Sequence, residues 1–176
     1  MTIFDDLRAS HQVQRSLARR MTHARASPDS RRLAFLALAN ELDAHATAEE
    51  RHFYVPLLMD DAGLGISRHA LADHHKAMKL VDELRGVDPT TDHFVELAKQ
   101  ISAEVRDHLD EEEHGTFQLA GKLLTKTQQK QLAFQYRVSR PGFDAVLIPW
   151  PSGRGEGDCC HGTSIEVHTR VPASSC

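Results

Sequence analysis

The 176-residue chain has three cysteines, and none of them precedes Cys159. No disulfide framework can staple the greater part of the sequence, which agrees with a reducing compartment. Long apolar runs are missing too: the longest, LAFLALA at 33–39, falls far short of the roughly 20 residues that span a bilayer. Lys and Arg nowhere cluster densely, and with a net charge of −4 and a pI near 6.3 no footprint for nucleic acid or an anionic membrane is expected. The opening MTIFDDLRASHQ lacks a basic start followed by an apolar run, so no secretory signal and a cytoplasmic location are expected. Tyrosine and tryptophan are scarce, with two and one respectively.

Histidine is abundant by contrast. Twelve of them lie in a chain rich in Ala, Leu, Glu and Arg, and such an excess inside helical sequence points to metal. Apolar periodicity outlines four amphipathic helices. The first carries Phe4, Leu7, His11, Ala18 and Met21 and should end near Arg25. The second is capped by Ser27 with Pro28 at its first position, and carries Leu38, Leu42, His45, Glu49 and Phe53 before Pro56 bends or closes it. DAGLG at 61–65 reads as a break. A third helix, opened by Ser67, carries Leu71, His74, Met78 and Val81 and stops at Gly86. The fourth follows DPTTD at 88–92 and carries Leu97, Ile101, Val105, His108 and Glu112. The fold class is all-α, an up-down-up-down four-helix bundle with short loops. A short fifth helix over 124–137 should pack on its end.

HATAE at 45–49 and HLDEE at 108–112 each place a Glu four residues after a His, so both side chains project from one helix face. The shift of sixty-three positions that takes His45 to His108 also takes Glu49 to Glu112 and His11 to His74. The chain reads as two copies of a helical hairpin. Related by a pseudo-two-fold axis, they would bring four imidazoles and two carboxylates to the bundle centre, where unpaired polar groups cost about 1–3 kcal/mol each. That donor set suits two metal ions with open positions, and iron or manganese better than a closed structural zinc.

The stretches SHQVQRSL, HATAEERHFYVPLL, DHHKAMKLVDEL and HLDEEEHGTFQLAGKLL, in this order, resemble a hemerythrin-like, HHE-type cation-binding domain over roughly residues 5–136. The resemblance implies a centre of two non-haem iron ions, manganese being less suited, with His11, His45, Glu49, His74, His108 and Glu112 as ligands. The oxygen-carrying hemerythrins have a further third-helix histidine where this chain has Met78, and an aspartate where it has Glu113. Reversible dioxygen transport is therefore not implied. The broader HHE branch is, with dioxygen, nitric oxide or peroxide as the partner molecule and a place in stress responses, as a monomer or homodimer.

Three uses stay open at this level: a peroxide-consuming di-iron enzyme, a non-catalytic iron or oxygen sensor, and a metal-free helical interaction bundle. Glu41 and Glu104, each one turn before a motif histidine, are either partners of its distal nitrogen or ordinary solvated residues. Tyr54 is read as bundle packing or a hydrogen-bond donor at the site, His75 as a neighbour displaced from the ligand register, and Glu111 and Glu113 as solvated. The domain should occupy 1–138. Residues 139–176 form an irregular, disordered tail: from 141 on they hold half the glycines, four of seven prolines and CCH at 159–161, with no sustained period.

Overall fold

The computed structural model describes residues 1–140. Of the tail expected over 139–176, Ser139 closes the last helix and Arg140 is buried, and residues 141–176 lie outside the described residues. Every regular element in the described part is helical.

Helix α1 (Ile3–Thr22) starts where the Thr2 backbone N–H donates to Asp5 Oδ2 at 2.7 Å, with acidic residues in its first turn and Arg19 and Arg20 in its last. Its buried stripe includes Ile3, Leu7, His11, Leu17, Ala18 and Met21, and Phe4, expected on it, is half-buried against the rings of Phe53 and Phe117. It ends at Thr22, short of Arg25. Helix α2 (Pro28–Glu49) has the expected cap, the Ser30 N–H donating to Ser27 Oγ at 3.2 Å. It then widens into a π-helical turn (Glu50–Tyr54), where the Val55 N–H donates to Glu50 O, and closes with one α-turn (Val55–Leu58) that contains Pro56. The missing N–H of Pro56 is thus absorbed without ending the helix.

Helix α3 (Asp61–Arg85) begins six residues before Ser67, so DAGLG is its first turn and not a break. Asp60 caps it by accepting from the Ala62 N–H at 2.9 Å. Gly63 lets the chain turn sharply here, since a Cβ on it would lie 2.2 Å from the Leu57 carbonyl oxygen. Ser67 is buried mid-helix, its hydroxyl donating to Gly63 O. Helix α4 (Asp92–Glu111), capped by Thr91, continues through a second π-turn (Glu112–Thr116) into Phe117–Leu123. Helix α5 (Lys126–Ser139), capped by Thr125, packs along α1 and the first π-turn.

Two apolar clusters build the core. One gathers Leu17, Met21, Phe35, Leu38, Leu84, Phe94 and Ile101; the other gathers Ile3, Leu7, Phe53, Tyr54, Phe117, Ala133 and Tyr136. Along α1, α2 and α3 the residues between these clusters are His11, His45 with Glu49, and His74, and on α4 His108 and Glu112 follow Val105 and precede Phe117. The six polar residues therefore form a layer between two hydrophobic plugs, which fix its side chains. Among the described residues no helix is long and apolar enough to cross a membrane.

Candidate metal centre

All six expected residues meet in this layer. His11 Nε2 lies 3.1 Å from Glu112 Oε2, and His45 Nε2 lies 3.1 Å from Glu49 Oε2. His74 Nε2 lies 3.3 Å from the same Glu49 oxygen and 3.2 Å from His108 Nε2. The donors fall into two groups whose atoms lie within 4.8 Å of one another: His11, His45, Glu49 and Glu112, and then Glu49, His74 and His108. Only Glu49 belongs to both.

The groups facing the distal imidazole nitrogens repeat as well, three of them as hydrogen bonds. His11 Nδ1 faces Glu113 Oε1 at 2.7 Å, and His74 Nδ1 faces Glu50 Oε1 at 3.0 Å; Glu50 and Glu113 are themselves sixty-three positions apart. His45 Nδ1 lies 2.9 Å from Ser10 Oγ, and His108 Nδ1 lies 3.7 Å from Asp73 Oδ2, again one repeat apart. Glu113 is held in turn by Arg15 Nη1 at 2.7 Å. It is thus no solvated residue, because the second π-turn swings it onto His11, while Glu111 is exposed as expected. His75 is exposed and His74 buried, as the register required.

Glu41 reaches His45 only through an intermediary: Ser10 Oγ donates to Glu41 Oε1 at 2.6 Å. Glu104 does not reach His108 and pairs with Lys76 at 2.7 Å. Tyr54 does donate at the site, to Glu112 Oε1 at 2.6 Å, while its ring fills the core. Two contributors come from α5 and its end. Tyr136 OH lies 3.0 Å from His45 Nδ1, and Arg140 donates to Tyr136 OH and Ser10 Oγ, both at 2.9 Å, and to Glu41 Oε2 at 2.6 Å.

The two-fold pattern breaks at the carboxylates. One repeat after Tyr54 stands Phe117, which has no hydroxyl to give. Glu112 accordingly has one oxygen satisfied, whereas both Glu49 oxygens are buried without a hydrogen bond, as are Glu112 Oε2, His11 Nε2 and His45 Nε2. Five orphaned atoms in one buried layer would each cost about 1–3 kcal/mol, and a cation is the partner that satisfies them together. The donors therefore fit a metal site of nitrogen and carboxylate ligands.

The protons tell the same story. Burial, and then the Glu49 charge, raise the Glu112 carboxyl to about 8, while Glu49 is held well below the usual range by His45 and His74 despite its burial. Burial lowers His108 to about 3 and lowers His45 as well. Burial opposes charge on His11 and His74 too, but the adjacent carboxylates, Glu112 and Glu113 for His11 and Glu49 and Glu50 for His74, outweigh it and raise them to about 9 and about 10. Two imidazolium charges beside these carboxylates mark where positive charge is favoured. A cavity of about 20 Å³ beside His45, His74 and His108 has room for roughly one water-sized molecule.

Residues 2–120 match the family described as hemerythrin HHE cation binding domain. The chain belongs to that family. Its members bind cations, and the His and Glu groups of this HHE domain are compatible with one. A curated protein of Nostoc sp. (strain PCC 7120) named "DNA nickase" is 25% identical over 157 residues, covering 88% of this chain and 44% of the relative. The chain thus spans less than half the length of that relative. No solved structure gives a significant match.

Proposed function

We propose that this HHE domain is a non-haem di-iron protein that binds or reacts with a small oxidant: dioxygen, nitric oxide or peroxide. The observation that carries this reading is the pair of donor groups sharing Glu49, with both Glu49 oxygens buried and unbonded. His11, His45, Glu49 and Glu112 would hold one iron and His74 and His108, with Glu49, the other, in an up-down-up-down four-helix bundle. Iron held there supplies redox chemistry and open coordination positions. The chain's own residues do the rest. Glu113, Glu50 and Ser10 hold the distal nitrogens of His11, His74 and His45, which would orient those rings toward a metal, while Asp73 faces His108 Nδ1 from 3.7 Å. Tyr54 pins one Glu112 oxygen and leaves the other to bind. The apolar plugs close the layer at its two ends, and the small cavity beside three imidazoles has room for a molecule of about oxidant size.

Anaerobic reconstitution of the untagged protein with ferrous iron, followed by elemental analysis, tests this: two irons per chain are expected, and none would refute it. Peroxide consumption by the iron-loaded protein, compared with the metal-free form, then separates an enzyme from a sensor acting in stress responses. The similarity to the Nostoc protein supports a second reading, DNA nicking. Supercoiled plasmid left intact by the loaded protein would exclude it.

A further inference from the structure

The fifth helix covers one side of the pseudo-two-fold centre and leaves the matching side open. On the covered side α5 supplies Arg137 to Asp6, Tyr136 and Arg140 to the Ser10 cluster, and Ala133 to the apolar cluster that holds Ala48. One repeat later, Asp6, Ser10 and Ala48 become His69, Asp73 and Glu111. These face solvent. A cavity of about 340 Å³ opens beside them and runs to His108 and Glu112. Its lining includes three carboxylates, Asp73, Glu111 and Glu112, and no Lys or Arg.

His69 Nε2 lies 3.2 Å from Glu111 Oε2 and 3.5 Å from Asp73 Oδ2, and one donor atom from each of the three lies within 4.8 Å of the others. Asp73 Oδ2 is also 3.7 Å from His108 Nδ1, so it links this cluster to the buried layer. At the cavity floor Glu112 is 1% exposed and its Oε2 has no hydrogen bond. The sequence thus puts an imidazole and two carboxylates where the other half of the repeat has none of that chemistry but Asp6, which α5 neutralises.

We propose that His69, Asp73 and Glu111 form a solvent-facing site for a hard divalent cation, iron(II) or manganese(II), which captures the ion at the cavity mouth and loads the buried centre. Its loading role rests on the di-iron reading; its cation binding does not. One imidazole and two carboxylates, two of the three residues largely exposed, give a weak site with water completing the shell, as passage requires. An acidic cleft with low-dielectric walls also raises the local cation concentration and the rate of capture.

The test uses the full chain, metal-free, with His69→Ala/Glu111→Gln as the variant and Asp82→Asn, an exposed acid elsewhere on α3, as control. Manganese(II) titration followed by electron paramagnetic resonance should count one weakly held ion in wild type and control that the double variant lacks. Anaerobic stopped-flow addition of iron(II) should load the variant about tenfold or more slowly, with the same final iron content and melting temperature. No weakly held ion in wild type, or loading of the variant at the control's rate, would overturn the proposal. A weak ion lost in the variant, in a wild type that retains no iron, would refute the di-iron reading and the loading role while upholding the outer site.

Discussion

His45 Nδ1 faces two hydroxyls, Ser10 Oγ at 2.9 Å and Tyr136 OH at 3.0 Å, yet one ring nitrogen makes only one strong hydrogen bond at a time. Either partner can stand in for the other, and Arg140 Nη1, which donates to both, is redundantly satisfied in the same way. Tyr136→Phe alone should therefore cost about 1 kcal/mol, the net worth of one buried hydrogen bond. Ser10→Ala, which also strips a partner from Glu41, should cost about 1–3 kcal/mol. The double variant removes both hydroxyls that face His45 Nδ1, so it should cost more than the sum of the two by about 0.5–3 kcal/mol. Urea unfolding of the metal-free proteins measures this cycle, and each kcal/mol should also move the melting midpoint by about 2–4 °C. A competing chelator should show the double variant's metal affinity reduced about tenfold or more. Additivity within about 0.3 kcal/mol would refute the shared contact and with it the claim that α5 helps to hold His45.

His45→Ala and His108→Ala should lose bound iron to a similar degree, measured by elemental analysis after reconstitution, because the repeat makes them equivalent. Tyr54→Phe, which strips the donor from Glu112 Oε1, should destabilise the metal-free fold by about 1–3 kcal/mol in urea titrations. Gly63→Ala drives a methyl onto the Leu57 carbonyl and should cost about 1–3 kcal/mol or more in the same assay, without changing iron stoichiometry. A chain ending at Val138 lacks the buried Arg140 that pairs with Glu41 and should be less stable than one ending at Arg140 by about 3–5 kcal/mol in the same urea assay.

The six central donors were legible because a ligand set repeated at one offset needs only a ruler along the sequence. Glu50 with Glu113, and Ser10 with Asp73, obeyed the same offset, but their signal was masked. Glu41 and Glu104 sit one helical turn from a histidine and look like its natural partners, whereas the true ones approach from a neighbouring helix or across a π-turn. The start of α3 was hidden for a local reason, since two glycines read as a breaker unless the close approach of Leu57 is known. Tyr136 and Arg140 stand outside the repeat altogether, and only tertiary packing brings them to His45. The residues after 140, where the tail was expected, lie beyond those described.

The two π-turns have a consequence for how this chain should be lined up with its relatives. A π-turn holds one residue more than an α-turn, so the residues four and five places after each buried carboxylate both point inward: Phe53 with Tyr54 after Glu49, and Thr116 with Phe117 after Glu112. Removing one residue from either turn would restore an unbroken α-helix and rotate everything beyond it by about 100°. In the first turn, that rotation would carry the Tyr54 hydroxyl away from Glu112. A single-position gap at 50–54 in a relative is therefore a chemical difference, a carboxylate with or without its phenol, whereas one at 112–116 would displace Phe117, which has no hydroxyl to give.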